Sequence, residues 1–469
     1  MIRRVLLNAV LGGSASLLIT GCAATRPQAS QAGRPAGRHM ALPEARPLGA
    51  HYPTAGFEAH EMNPDEQPAA PTGTLKLEQA LGAALLRNPS LAAFSHNLRA
   101  VEARLLQARA LPNPELEFGL DEYDRDGKGL DAAETSVTLG QLFELGGKRH
   151  WRTRVAEAEG ELAGWDYESK RLDVFTETAR RFTAVIVAQQ RFELAGAAVQ
   201  LAEKTSRAVR ERVKAGKEPP LQASKSEAEL EMVRMDLFEA NNVLRVARRK
   251  LAAMWGGERA EFSNVEGHLD GVLGPVPSMT ALRSRLALNP DLARWDAEIR
   301  MRRSALSLEK SARVPDVTAA IGFQSFEEDG TDSLALGVGL PLPLFDRNQG
   351  NIAAAAYGLS KAEAERSAAE LALAAELAEI HAGLTTSYQR VEALRGKVVP
   401  AMEQAFAAAH EGYQQGKFGF LDMLDAQRGL FQAKGALVDA LSDYHTALAD
   451  IQGITGTSIE VLMNGKKKD

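Results

Sequence analysis

Along most of the chain apolar residues recur in steps of three and four, and in four places this gives way to short alternating runs. Leu75–Ala110 carries the helical step, and Pro112 with Pro114 stops it, because proline lacks an amide donor and clashes with the preceding turn. Leu116, Phe118 and Leu120 then alternate with Glu115, Glu117 and Asp121. After a Gly/Asp-rich turn, Val137 and Leu139 alternate with Ser136, Thr138 and Gly140. Val317, Ala319, Ile321 and Phe323, and later Leu334, Leu336, Val338 and Leu340, follow the same period of two. This pattern predicts strands near 115–121, 135–142, 316–325 and 333–341, each with one apolar and one polar face. Pro341 and Pro343 end the last of them, and Asp346 or Asn348 is placed to cap the helix that follows.

No proline occurs between Pro114 and Pro219, so Lys148–Lys214 reads as one helix of roughly 100 Å. Leu172, Phe175, Ala179, Phe182 and Ile186 mark a coiled-coil seam on it, and Leu437, Leu441, Tyr444, Leu448 and Ile451 mark another near the C-terminus. The pattern is also written twice. Asn88-Pro89 returns as Asn289-Pro290, Gly216-Lys217 as Gly416-Lys417, and Leu111-Pro112 as Val314-Pro315, at offsets of 201, 200 and 203 residues. Each half runs helix, two strands, very long helix, turn, long helix.

Composition narrows the reading. Aromatic residues make up 6% of the chain against 45% apolar residues in all, which suits a thin, Ala-rich helical rod. The net charge of −6, or −8 without Arg3 and Arg4, argues against nucleic-acid binding. Cys22 is the sole cysteine, so neither an internal disulfide nor a cysteine zinc site is available. Residues 1–21 read as a secretory leader with Arg3 and Arg4 at its start, and Leu18-Ile19-Thr20-Gly21-Cys22 resembles a bacterial lipoprotein signal. Cleavage there leaves Cys22 to carry a covalent lipid, the only prosthetic group expected. Residues 22–73 form a Pro/Gly/Ala/Arg-rich tether, in which His39, Met40, His51, His60 and Met62 read as ordinary linker residues rather than a metal trap. The first repeat then spans 74–256, a linker 257–277, the second repeat 278–456 and a tail 457–469.

Strands of about ten residues suit a bilayer crossing. Four of them cannot close a barrel, and open sheet edges cannot face lipid. Copies of the chain must then share a wall, and three would supply twelve strands. A small soluble sheet packed on the helices satisfies the same alternation; the leader and the duplication favour the shared barrel.

The tandem halves, strand pairs and glycine turns resemble the outer-membrane efflux family typified by TolC, over about 74–456. Leu145-Gly146-Gly147-Lys148-Arg149, Trp165-Asp166-Tyr167-Glu168 with Arg171-Leu172-Asp173, and Pro341 through Gly350 resemble its heavy-metal branch, which serves cobalt–zinc–cadmium or copper–silver efflux. The resemblance implies a mainly α fold of long coiled-coil hairpins with four transmembrane strands per chain. It also implies a homotrimer with a 12-stranded barrel in the outer membrane and a helical tunnel crossing the periplasm. Its partners are a periplasmic adaptor (membrane fusion protein) and an inner-membrane pump of the resistance–nodulation–division class, and the duct itself carries no catalysis.

By the same resemblance, Tyr413 through Gln427 matches the periplasmic aperture segment. Asp422 and Asp425, three apart on one helix face, would ring the pore mouth and favour cations. Tyr413 matches a tyrosine of the closing network. Phe418 departs from the pattern, since relatives carry an arginine there, and Lys417 would have to reach from another angle. Gly216, Lys217, Gly416 and Lys417 mark the tips expected to meet the adaptor.

Enzyme motifs are thin. Gly337-x-Gly339 lies in a strand, Gly146-Gly147-Lys148 lacks a phosphate loop's upstream glycine, and the histidines outside the tether have no metal-ligand spacing. No resident metal is expected. Multidrug efflux, type I protein secretion and a periplasmic coiled-coil scaffold are the alternatives to metal efflux.

Overall fold

A computed structural model describes residues 71–121, 134–269, 274, 276–326 and 330–456. Cys22, the tether up to residue 70 and the C-terminal tail lie outside the described residues. The chain is mainly helical, with long helices and two small sheets. The first repeat contains β1 (Gly73–Leu75), α1 (Leu77–Arg87), α2 (Pro89–Arg109), β2 (Glu115–Asp121), β3 (Glu134–Phe143), α3 (Lys148–Lys214) and α4 (Pro220–Ala252). β4 (Phe262–Val265) and α5 (Met279–Arg283) follow. The second repeat contains α6 (Pro290–Ser311), β5 (Val317–Phe326), β6 (Thr331–Gly339), α7 (Gln349–Ala393), α8 (Val399–Gln414) and α9 (Phe420–Thr455).

The helix expected over 75–110 is two helices. Asn88 ends the first and caps the second: its Oδ1 accepts from the amides of Ser90 and Leu91, with Pro89 in the first turn, where its missing donor costs nothing. The Asn88 side-chain amide then donates to the Met254 carbonyl at 2.8 Å. Asn289 does the same for Asp291 and for the Ile454 carbonyl, also at 2.8 Å. Each Asn-Pro therefore ties the start of its repeat to the end of that repeat's last helix, and both asparagines are buried. The short parallel pair β1–β4 was not expected from sequence; three or four residues show too little alternation to read.

α3 runs unbroken for 67 residues. Its counterpart is interrupted by a π-turn at Leu394–Val398 between α7 and α8. Pro400 accounts for the difference, since it cannot donate to the carbonyl one turn back and the helix widens to accommodate it. Asn348 sits at the start of α7 but not as a side-chain cap. It takes the left-handed conformation (φ 58°) and donates to the carbonyl and carboxylate of Glu309 at 2.8 and 2.6 Å.

The larger sheet has the order β2-β3-β5-β6, antiparallel throughout, so β2 and β6 are free edges in the single chain. Its register aligns Phe118, Val137, Phe323 and Leu334 in one row and Leu116, Leu139, Ile321 and Leu336 in the next. These rows form a continuous apolar face, with Phe118 71% and Leu336 78% exposed. The other face carries Glu117, Thr138, Gly322 and Ala335 in one row and Gly119, Ser136, Gln324 and Ser333 in another. These two rows are polar or small, and Leu142 and Phe326 share the face at its two ends. The helices do not cover the apolar face, so the alternative of a sheet packed on them is not what the chain adopts.

Between sheet and helices the corner is tightly built. Gly146 has φ 69°, and a Cβ there would stand 2.8 Å from the Ser311 carbonyl. Asp316 accepts from the Leu145 amide at 2.9 Å and pairs with Lys148 at 2.8 Å. Arg152 grips both oxygens of Glu144 and the carbonyls of Ala108 and Ala110.

The apolar interior is discontinuous. The largest cluster forms a belt where β1, β4 and α1 pack on the middle of α3, with Phe182, Val185, Trp255, Leu377, Leu441 and Tyr444 among its members. Gln189 on α3 clasps Val265 of β4 there, about 60 Å along the helix from its start. A small separate cluster, Val209, Tyr413, Phe420, Met423 and Leu424, lies at the far tips.

Candidate functional site

Both long hairpins turn at the end of the molecule remote from the large sheet, and the two turns are built alike. Gly216 (φ 66°) and Gly416 (φ 72°) take the left-handed conformation that ends a helix without a Cβ clash. The amides of Lys217 and Lys417 reach back five residues to the carbonyls of Arg212 and Gly412, at 2.9 and 2.8 Å. Gly216 and Gly416 donate to Val213 and Tyr413. The expected tip residues are thus turn residues, and Lys217 and Lys417 stand exposed beside the glycines.

The second tip has an aromatic interior. Tyr413 is 3% exposed, its ring edge-on to Phe420 at 6.2 Å, with Met423, Leu424 and Val209 around it. Arg212 of the first tip lies over the Tyr413 ring at 4.6 Å and donates to its carbonyl at 3.1 Å. Glu218 faces Arg212 at 3.6 Å. Burial pushes the Tyr413 phenol above its ordinary pKa, Glu218 adds to this, and Arg212 opposes it. The phenol oxygen is sealed without a hydrogen-bond partner.

Phe418 folds back on its own turn. Its ring lies so close over Gly412 that a Cβ there would come within 2.2 Å of it. At the offset of 200, Arg212 corresponds to Gly412 and Glu218 to Phe418. The same pair of positions therefore holds an ion pair in one tip and a glycine–aromatic contact in the other. An arginine does stand at the second tip, but it comes from the first repeat. Comparing the two repeats position by position would have revealed it.

Asp422 and Asp425 stand exposed on one face of the first turns of α9. Asp422 also caps that helix, accepting from the Gly419 amide at 2.9 Å. Their counterparts in the first tip are Gln222 and Lys225, so the paired acids belong to the second tip alone. One turn on, Arg428 grips both oxygens of the buried Glu229 on α4, at 3.1 Å for the Nε bond, and joins the two hairpins. Neither Glu229 nor Arg428 was expected from sequence.

The branch-like stretch at 165–173 does packing, whereas that at 341–350 is almost wholly exposed. Asp166 pairs with Arg294 of α6 at 2.8 Å, Glu168 with Arg171 at 2.9 Å, and Tyr167 is buried. Among the described residues no group of three or more His, Cys, Asp or Glu is placed to hold a metal ion, and no helix is long and apolar enough to cross a membrane.

A family model described as outer membrane efflux protein matches residues 80–257 and 281–457. The cobalt-zinc-cadmium resistance protein CzcC of Cupriavidus metallidurans is 35% identical over 83% of this chain and 92% of its own. The nickel-cobalt-cadmium resistance protein NccC of Alcaligenes xylosoxydans is 25% identical over 63% and 66%. Among solved structures, CusC superposes with a TM-score of 0.70 at 14% identity, covering 89% of this chain and 98% of that one.

Proposed function

We propose, for a chain that belongs to the outer membrane efflux protein family, that three copies form a passive exit duct for heavy-metal cations. The chain is an outer-membrane efflux channel and not an enzyme. The observation that carries the finer reading is the four-stranded sheet with two unpaired edges and a bare apolar face. Lipid accepts the face but not the edges, so β2 of one copy pairs with β6 of the next until the wall closes at twelve strands. The polar, small-residue face then lines the bore. The helical hairpins hang below it into the periplasm, with Cys22 lipidated and holding the tether to the membrane.

At the tips, Asp422 and Asp425 from three copies would set six carboxylates around the mouth, a ring that draws cations and repels anions. Gly216, Lys217, Gly416 and Lys417 would meet the periplasmic adaptor, which couples the duct to an inner-membrane pump driven by the proton gradient. The cargo follows from likeness to relatives named for cobalt, zinc, cadmium and nickel resistance.

The test is a deletion strain complemented with the chain and challenged separately with zinc, cadmium, cobalt, nickel, copper, silver and a panel of drugs. Restored resistance to metals alone supports the reading. Restored drug resistance alone replaces the cargo. Single cysteines placed in β2 and β6 test the wall: disulfide-linked trimers support it, and monomers that span detergent micelles overturn it.

A further inference from the structure

Four arginines converge on one cleft at the belt, far from the tips. The cleft, about 680 Å³, lies between the C-terminal end of α4 and β4 and is lined in part by Arg245, Arg248, Arg249, Arg259, Glu258 and Phe262. A two-glycine turn brings Arg259 there. Gly256 has φ 78°, the Gly257 amide donates to the Ala252 carbonyl at 3.0 Å, and a Cβ on Gly257 would crowd that oxygen at 3.1 Å. The chain thus folds back along the end of α4.

Neutral amides, not carboxylates, hold two of the four. Arg248 donates to the Asn264 side-chain oxygen at 2.8 Å, and Arg245 to that of Asn242 at 2.9 Å. The side chains of Arg249 and Arg259 make no hydrogen bond or ion pair among the described residues. Glu258 lines the same cleft and pairs with none of the four. Arg180, Arg234, Arg294, Arg366 and Arg428, by contrast, all reach acids. The Nε of Arg248 is sealed from solvent without an acceptor, and burial holds that guanidinium below its ordinary pKa. Arg245, Arg249 and Arg259 are exposed and Arg248 is half-buried; among the described residues no carboxylate pairs with any of the four, so an added countercharge would stabilise the cluster. The negative end of the α4 dipole favours basic residues nearby but offers the Arg248 Nε no acceptor.

We propose that this cleft binds a multivalent oxyanion, bearing phosphate or carboxylate groups, through charge-assisted bonds from Arg248, Arg249 and Arg259. Planar guanidinium groups suit both acids in two-pronged geometry, and the volume exceeds the need of a single bare ion. Two sources offer this chemistry: a dissolved polyanion, or the carboxylates of the cell-wall polymer that a rod crossing the periplasm would meet. The second source rests on the proposed outer-membrane placement; the cleft itself does not.

The test uses the full chain purified in detergent, titrated calorimetrically with inorganic pyrophosphate and with citrate, and sedimented with purified cell-wall sacculi. Binding of either small probe that weakens with added salt is expected. R248Q, which keeps an amide within reach of Asn264, and R259Q should each lower affinity tenfold or more. R300Q, which breaks an exposed ion pair elsewhere, should leave it unchanged. If R248Q does not fold by circular dichroism, R249Q replaces it. Sedimentation with sacculi that R259Q abolishes, without binding of the small probes, assigns the polymer as the source. Failure of all three probes, or binding indifferent to these substitutions, overturns the proposal. A negative metal-challenge result would leave this outcome untouched.

Discussion

Asn88 and Asn289 each perform two tasks with one side chain, capping a helix through Oδ1 and closing the repeat through the amide nitrogen. Replacing either by alanine removes the cap and strands a buried carbonyl, so we expect a loss of about 2–3 kcal/mol. Denaturant unfolding of the single variants measures it, and N88S, which keeps a capping oxygen but cannot reach the Met254 carbonyl, should lose only part. The repeated Asn-Pro was plain in the sequence, whereas the 166-residue reach to Met254 was not, because nothing local encodes a long-range acceptor. The tip acids separate in the same manner. D425N should lower cation-over-anion selectivity in planar bilayers without affecting stability, while D422A should also weaken the α9 cap by about 1 kcal/mol.

At the scale of the elements, Arg212 is the contact that holds one hairpin against the other at Tyr413. R212A should raise hydrogen exchange over 410–420 while the belt keeps its protection. The phenol supplies a pH dependence of known sign. Its pKa is raised in the folded chain, so its contribution is complete below the unfolded value of about 10 and fades as pH climbs through the higher folded value. Protection factors at the second tip, which remove the base-catalysed rise of intrinsic exchange, should therefore fall at alkaline pH relative to those of the belt, and Y413F should flatten that fall. The existence, order and length of the elements were legible because alternation and the three-four step run for many residues. The break at Asn88, the π-turn at Leu394–Val398 and the β1–β4 pair were not, since each depends on a few residues or on partners distant in sequence. Phe418 was read as a lost arginine; its packing over Gly412 is visible only in the folded chain, whereas Arg212 was open to discovery by aligning the two halves.

For the molecule as a whole, the two faces of the large sheet make opposite demands. Lysine at Phe118 or Leu336, on the bare apolar rows, should cost about 2–4 kcal/mol per copy in a bilayer and deplete assembled protein from outer-membrane fractions. Lysine at Ser136, on the opposite face, should be tolerated and change conductance instead. Helical amphipathicity alone would not have separated these outcomes, because the thin cores at the belt and the tips leave the sheet to stand by itself.

The unpaired borders of that sheet also bear on inheritance. In the proposed three-copy ring, a copy whose β6 border is spoiled would still present a sound β2 border, be recruited by healthy siblings and leave each ring it enters with a breach. When damaged and intact alleles are expressed equally and mix at random, only about one ring in eight escapes. Lesions along β2 or β6 should therefore behave as dominant in a cell carrying both alleles.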